Sequence, residues 1–399
     1  MNQQVDSGRL HALDNLRAVM MWLGIVLHVA LNHLTQDSPM PWRDPASSPV
    51  ANLLMIFIHS FRMPVFFILA GFLAAMMVEK YGYKTMLRKR ARRIALPFAL
   101  FWPFLFAGMV FLILVFGHLM ANGTLGIDLK YAPKPPAGGT KGPPTMHMWF
   151  IYYLMWFCML AAAFGAVGKY LPASVGAAVA KTMRTLAAKG WGALVLAIPL
   201  AIVGAQYKAG MLSPNGSFIP NLNETVHSGL FFLAGWMIYG VRDTLLPMYK
   251  ADWIKYLVAG TVPFLICCKL FALYAASPAT TADLFPWIAF FYAVTSWLWS
   301  FGLIGLFLRF LPHQNRVLRY ISDSSYWVFL VHMLGTMGFG VLLFNAPLGA
   351  LTKMGLNIAL TTMACLLSYH FLVRRTWIGT LLNGKKHLRP APVPDAATA

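Results

Sequence analysis

The residues Leu16-Arg17-Ala-Val-Met20-Met-Trp-Leu-Gly24-Ile-Val-Leu-His28-Val-Ala-Leu-Asn32-His-Leu34 make an apolar stretch long enough to cross a bilayer, with an imidazole near its middle. A run of this length and composition reads as a membrane helix and sets the class of the whole chain. An ionisable side chain at membrane depth is costly to hold and needs a partner, so His28 is a candidate functional residue from the outset. On a helix, the step from Arg17 to His28 returns the chain to within about 20° of the same direction, about 16 Å further along the axis. Asp14, Met21 and Gly24 fall on the same stripe. A charged mouth, a small residue and a buried imidazole on one face describe a site rather than a lipid-facing surface.

Further apolar stretches follow at residues 53–78, 94–120, 148–167, 191–207, 226–241, 253–275, 285–311, 326–344 and 354–373. The reading is therefore an all-α, polytopic integral membrane protein with about ten transmembrane helices. Composition agrees: 59% of residues are hydrophobic and only 11% charged, where a soluble domain carries about a quarter charged residues. Alternating the loops puts Arg43, Lys130, Lys134, Lys141, Lys208, Lys269 and Lys353 on one side, with Arg62 inside a membrane stretch. The other 24 of the 32 Lys and Arg residues share a side with the termini. The positive-inside rule then predicts a cytoplasmic N-terminus and a cytoplasmic C-terminus. This bias accounts for the net charge of +20 without nucleic acid, which would need a basic soluble domain that the sequence lacks.

Residues 1–382 read as a single transmembrane domain, and the proline-bearing tail 383–399 as disordered and cytoplasmic. The Gly/Pro-rich stretch 121–145 and the polar stretch 209–225 are expected as outer loops. The first apolar stretch lacks a small-x-small exit and is expected to remain as an anchor. Cys158, Cys267, Cys268 and Cys365 all sit in apolar stretches and suggest packing rather than a disulfide framework or a metal site. A short echo joins Phe66-Phe-Ile-Leu-Ala-Gly71 to Phe231-Phe-Leu-Ala-Gly235; small residues in apolar helices more often mark close helix packing than a repeat.

Other polar residues also fall at membrane depth. His59 and Arg62 are spaced i,i+3 and share a face. Arg62 cannot discharge, so it needs an anion, a watered cavity, or the carbonyls that Pro64 would free on a broken helix. Arg90 and Arg93, within the basic turn 80–93, can grip a phosphate, or can simply fix topology and touch anionic lipid. His147 and Trp149 open the fourth stretch at the outer rim, where aromatics commonly anchor and an acceptor site is also compatible. His332 lies deep in the ninth stretch, either functional or bonded to a neighbouring helix. All twelve Asp and Glu residues lie in loops or at stretch ends, unlike a proton-driven carrier with an acid relay in the membrane.

Taken together, Leu13-Asp14-Asn-Leu16-Arg17 with His28, Arg62 before Phe66-Phe67 and Ala70-Gly71-Phe72, Arg90-x-x-Arg93 before Pro97, His147-x-Trp149-Phe150, and Ser325-Tyr326 with Leu330-Val-His332 resemble the membrane acyltransferases of family 3. The resemblance spans essentially the whole chain and looks most like the branch that succinylates osmoregulated periplasmic glucans. It implies a bacterial inner-membrane O-acyltransferase that moves an acyl group, succinyl before acetyl, from cytoplasmic acyl-CoA to a sugar hydroxyl of a periplasmic glucan or other envelope polysaccharide. His28 would activate the acceptor as general base, or carry the acyl group covalently. Arg90 and Arg93 would hold the CoA phosphates, with Arg17 at the donor's mouth and Asp14 supporting it. We assign Arg62 to neutralising a succinyl carboxylate or a developing oxyanion. Where relatives carry Ser-Gly after the paired Phe, this chain has Ala70-Gly71, which removes a hydroxyl from that place. The competing reading is a polysaccharide or lipid-linked glycan flippase without covalent chemistry. No permanently bound cofactor or metal is expected; the partners are membrane lipid, acyl-CoA and the glycan.

Overall fold

The computed structural model describes residues 2–36, 40, 42–131, 143–168, 170, 172–278 and 280–384. The middle of the expected Gly/Pro-rich loop, 132–142, and the expected disordered tail beyond 384 lie outside the described residues. Among the described residues all regular structure is helical. The helices are α1 (Asn2–Leu31), α2 (Pro49–Arg90), α3 (Leu96–Asn122), α4 (Trp149–Gly168), α5 (Ala173–Ala188), α6 (Gly192–Gly204), α7 (Leu222–Gly240), α8 (Arg242–Ala276), α9 (Phe285–Phe310), α10 (Arg316–Leu343), α11 (Ala350–Ser368) and α12 (Trp377–Asn383).

Local chemistry sets many of the boundaries. Pro49 sits in the first turn of α2, where its missing N–H costs nothing, and the Ser48 hydroxyl accepts from Val50 N at 3.2 Å. Asn221 caps α7 by accepting from Asn223 N at 2.8 Å, and Asn315 caps α10 by accepting from Leu318 N at 2.8 Å. Gly123 ends α3 in the left-handed conformation, φ 71°.

Among the described residues, seven helical stretches are long and apolar enough to cross a membrane. One of them, Pro49–Asn122, is 74 residues, and a helix of that length would reach on the order of 110 Å, several times the ~30 Å hydrocarbon core. The chain breaks within it at Gly82 (φ 76°, ψ 165°) and passes through a π-helical turn, Ala91–Ala95, before α3. A further pair, Ser174–Ala188 and Gly192–Gly204, meets at 105°. Its first half, α5, lies outside the ten apolar stretches of the sequence; six alanines in sixteen residues favour helix there.

The core is organised around α9, whose most apolar window is 83% buried, the highest of the seven. It is apolar on every face, as a helix surrounded by others must be, and packs along α8 with α1, α2 and α6 also against it. The opening stretch, α1, lies against α2, α9, α10 and α11. Asn15 ties α1 to the α9–α10 connection through Nδ2 donating to Leu311 O at 3.1 Å and His313 O at 3.3 Å.

The two Phe-Phe/Ala-Gly echoes pack against each other. A Cβ on Gly71 would stand 1.9 Å from Phe232 O, and one on Gly235 would stand 1.9 Å from Ile68 O. The echo is therefore the two halves of one close α2–α7 crossing, of the kind small residues allow in membranes.

Candidate active site

α1, α2, α3 and α10, with the start of α4, the end of α8 and the connection before α7, line a cavity of about 1460 Å³. His28, His59, Arg62, His147, Trp149 and His332, all singled out from the sequence, line it. Its mouth lies at the C-terminal end of α1, among Gln36, Asn52, Pro144, Lys208, Asn215 and Asn221. Among its described lining residues the cations are Arg62 and Lys208, and there is no Asp or Glu.

Arg62 is buried, 4% exposed. Its Nε donates to Met20 O at 2.9 Å, across to α1 rather than along α2 to a carbonyl freed by Pro64. The guanidinium lies over Gly24, where a Cβ would stand 2.5 Å from Nη2. Glycine on the His28 stripe is thus what lets the cation reach the cavity. Among the described residues no carboxylate forms an ion pair with Arg62. A buried cation without a counter-ion is expensive, and an anion entering the cavity repays that cost.

Three imidazoles surround this cation. The His28 and His332 rings lie 5.2 Å apart by centroids, and His332 and His147 lie 5.4 Å apart. His332 Nδ1 donates to Phe329 O at 2.8 Å and Val328 O at 3.0 Å, while His147 Nε2 donates to Leu330 O at 3.0 Å. His28 is half-buried, its Nδ1 sealed from solvent. His59 bonds through Nδ1 to the Tyr292 hydroxyl of α9 at 2.5 Å, and its ring also borders a small adjoining pocket lined by His227, Ser228 and Tyr292. Tyr292 and His227 were not singled out from the sequence. One aromatic and one histidine within apolar runs give no periodic signal that separates them from packing residues.

The remaining predicted residues lie apart from the cavity, toward the N-terminal end of α1. Asp14 and Arg17 form an i,i+3 ion pair at 3.3 Å. Arg90 is half-buried, and its Nε and Nη2 are sealed from solvent without an acceptor. Arg17, Arg93 and Cys158 are the ionisable groups that act on it electrostatically. The π-helical turn that follows directs Arg93 outward, against Gly384 at the end of α12. Two buried donors without an acceptor, beside two further guanidinium groups, suit an anionic ligand with several oxygens.

The predicted site residues thus fall into two groups: an imidazole–guanidinium chamber toward one end of the bundle and an arginine cluster toward the other. A general base, a cation for a developing oxyanion and a separate anion grip are the parts that acyl transfer from a phosphorylated donor requires. Comparison with known proteins places the chain among acyltransferases. A family model described as an acyltransferase domain matches residues 10–373. Glucans biosynthesis protein C of Escherichia coli O139:H28 (strain E24377A / ETEC) is 25% identical over 352 residues, covering 84% of each chain. The proteins of that name from Escherichia coli strain SMS-3-5 and from Escherichia coli O157:H7 are likewise 25% identical over 352 residues. No solved structure matches the chain.

Proposed function

This chain belongs to the acyltransferase family whose domain model covers residues 10–373, and from that membership we propose that it moves a succinyl group, with acetyl as the second choice, from cytoplasmic acyl-CoA to a sugar hydroxyl of a periplasmic glucan. It is a multi-pass membrane acyltransferase. The observation that carries the finer reading is the chamber in which Arg62 and three histidines meet with no Asp or Glu among the described lining residues, and the Arg17, Arg90 and Arg93 cluster at the opposite end.

The proposed topology has ten crossings and both termini in the cytoplasm of a bacterial inner membrane. The seven apolar stretches contribute seven, the 74-residue stretch supplies a second crossing, and α6 and α7 complete the number. The charge bias of the loops supports this orientation. The chamber then opens to the periplasm, where a glycan arrives, and the arginine cluster faces the cytoplasm, where acyl-CoA is made. Arg90 and Arg93 hold the CoA phosphates, and Arg17, braced by Asp14, guides the donor inward.

In the transfer, His28 removes the proton from the acceptor hydroxyl as its oxygen attacks the thioester carbonyl. Arg62 sits over Gly24, one helical turn from His28, and balances the charge on the tetrahedral oxygen. The C–S bond then breaks, and the departing thiolate takes the proton from His28. The products are an O-acyl sugar and free CoA. The name of the relatives, glucans biosynthesis protein C, supports a glucan acceptor, and the chamber's amide-bearing mouth (Asn52, Asn215, Asn221) with Trp149 on its wall suits a sugar.

Membranes containing the protein should move label from succinyl-CoA to periplasmic glucan, and His28→Ala should abolish the transfer. Unchanged transfer with His28→Ala removes the base assignment. Glycan carried across the membrane without acylation removes the proposed reaction.

A further inference from the structure

Two ring nitrogens on neighbouring histidines are sealed from solvent and have no hydrogen-bond partner: Nδ1 of His28 and Nε2 of His332. The rings are 5.2 Å apart by centroids and inclined at 45°. His332 Nε2 packs over Gly24, one turn before His28 on the same face of α1, where a Cβ would stand 3.2 Å from it.

The protonation of His332 follows from its contacts. Its Nδ1 faces two carbonyl oxygens, Phe329 O at 2.8 Å and Val328 O at 3.0 Å, so Nδ1 bears the proton and Nε2 bears a lone pair. His147 cannot supply the missing donor, because its N–H is spent on Leu330 O and its own Nδ1 is a second lone pair. Arg62 is bonded through Nε to Met20 O and makes no hydrogen bond with His332. His28 is the facing ring that itself carries an unpartnered nitrogen, whereas the Arg62 Nη groups, also over Gly24, stay free for an entering anion.

We infer that His332 is the positioning residue for His28: at a centroid separation of 5.2 Å, ring rotation closes a hydrogen bond from His28 Nδ1–H to His332 Nε2 and satisfies both orphaned atoms. This rests on His28 acting as the base. The bond fixes His28 in its Nδ1–H tautomer and presents the Nε2 lone pair to the acceptor hydroxyl. When Nε2 takes the acceptor proton, the bond from Nδ1–H to His332 becomes charge-assisted and stabilises the imidazolium. The proton later leaves from Nε2 to the CoA thiolate, and none passes to His332.

The test compares His332→Phe and His332→Gln in the full-length protein in lipid vesicles, with His28→Ala alongside. Phe fills the ring's space without an acceptor, whereas the Gln carbonyl reaches the place of Nε2. His332→Phe should lower kcat about 100- to 1000-fold, the scale of losing a correctly placed base, with KM for acyl-CoA unchanged. His332→Gln should recover at least about tenfold of that loss. If His332→Phe does not fold, His332→Asn takes its place, since it keeps an N–H for the carbonyls but falls short of His28. Wild-type kcat in His332→Phe overturns the inference, as does His332→Gln performing no better than His332→Phe. Transfer persisting in His28→Ala overturns instead the reading of His28 on which the inference rests.

Discussion

The guanidinium of Arg62 occupies the space that a side chain at residue 24 would need: a Cβ on Gly24 would stand 2.5 Å from Arg62 Nη2 and 3.2 Å from His332 Nε2. Gly24→Ala therefore displaces the cation and the imidazole together. The helix-propensity gain of about 1 kcal/mol is offset by an overpacking cost of about 1–3 kcal/mol, so stability should change little while activity falls. Transfer should fall about 10- to 100-fold, the scale of a misplacement near 1 Å, with at most a modest drop of the melting temperature in detergent. A Gly24→Ala protein with wild-type kcat/KM would show that the close approach of Arg62 is incidental.

Arg62→Gln removes the charge and keeps a hydrogen-bond donor in roughly the same volume. If Arg62 balances the tetrahedral oxygen, transfer should drop about 100- to 1000-fold, as for loss of one oxyanion donor. The loss should be equal for succinyl and acetyl donors. A loss confined to the succinyl donor would place Arg62 on the distal carboxylate instead. Arg62→Lys should recover little, because a lysine cannot reproduce the Nε–H bond to Met20 O.

Arg90→Ala with Arg93→Ala should raise KM for acyl-CoA about 10- to 100-fold and leave kcat nearly unchanged, the signature of lost uniform binding. Raising the salt concentration should weaken the wild-type protein toward the variant, since phosphate gripping is screened. Donor titrations at two ionic strengths measure both effects; overlapping curves would assign the arginines to topology alone.

Much of the chamber was legible in the sequence because membrane depth makes every polar residue expensive. His28, His59, Arg62, His147, Trp149 and His332 could each be picked from an apolar stretch or its rim, and the structure places all six on one cavity. Pairing was not legible. Nothing in the local pattern of His28 points to His332, and nothing around His59 points to Tyr292, because these contacts join distant helices. The π-helical turn after Arg90 was also hidden: spacing alone treats Arg90 and Arg93 as an ordinary i,i+3 pair, whereas one turns inward and the other outward. Lys353 was read as an outer-loop charge, yet its side chain is only 3% exposed. Burial of a charge in a loop-proximal turn depends on its partner, and that partner, Asp44, comes from another part of the chain.

That buried pair gives the last prediction. Lys353 Nζ contacts both Asp44 oxygens, at 3.1 and 3.2 Å, and donates to Phe344 O at 2.6 Å. Asp44 in turn accepts from Ala46 N at 2.8 Å, and its own N–H donates to Asn32 O at 2.9 Å. The pair thus fastens the connection after α1 to α11, beside the mouth of the chamber. Asp44→Ala leaves the ammonium buried without a counter-ion and should cost about 3–5 kcal/mol. Adding Lys353→Met removes that stranded charge and should restore most of the loss, since replacing a buried pair by apolar groups is often neutral. Thermal unfolding of the two singles and the double closes the cycle. If the double variant is as unstable as Asp44→Ala, the loss lies in the loop's backbone contacts rather than in the uncompensated charge.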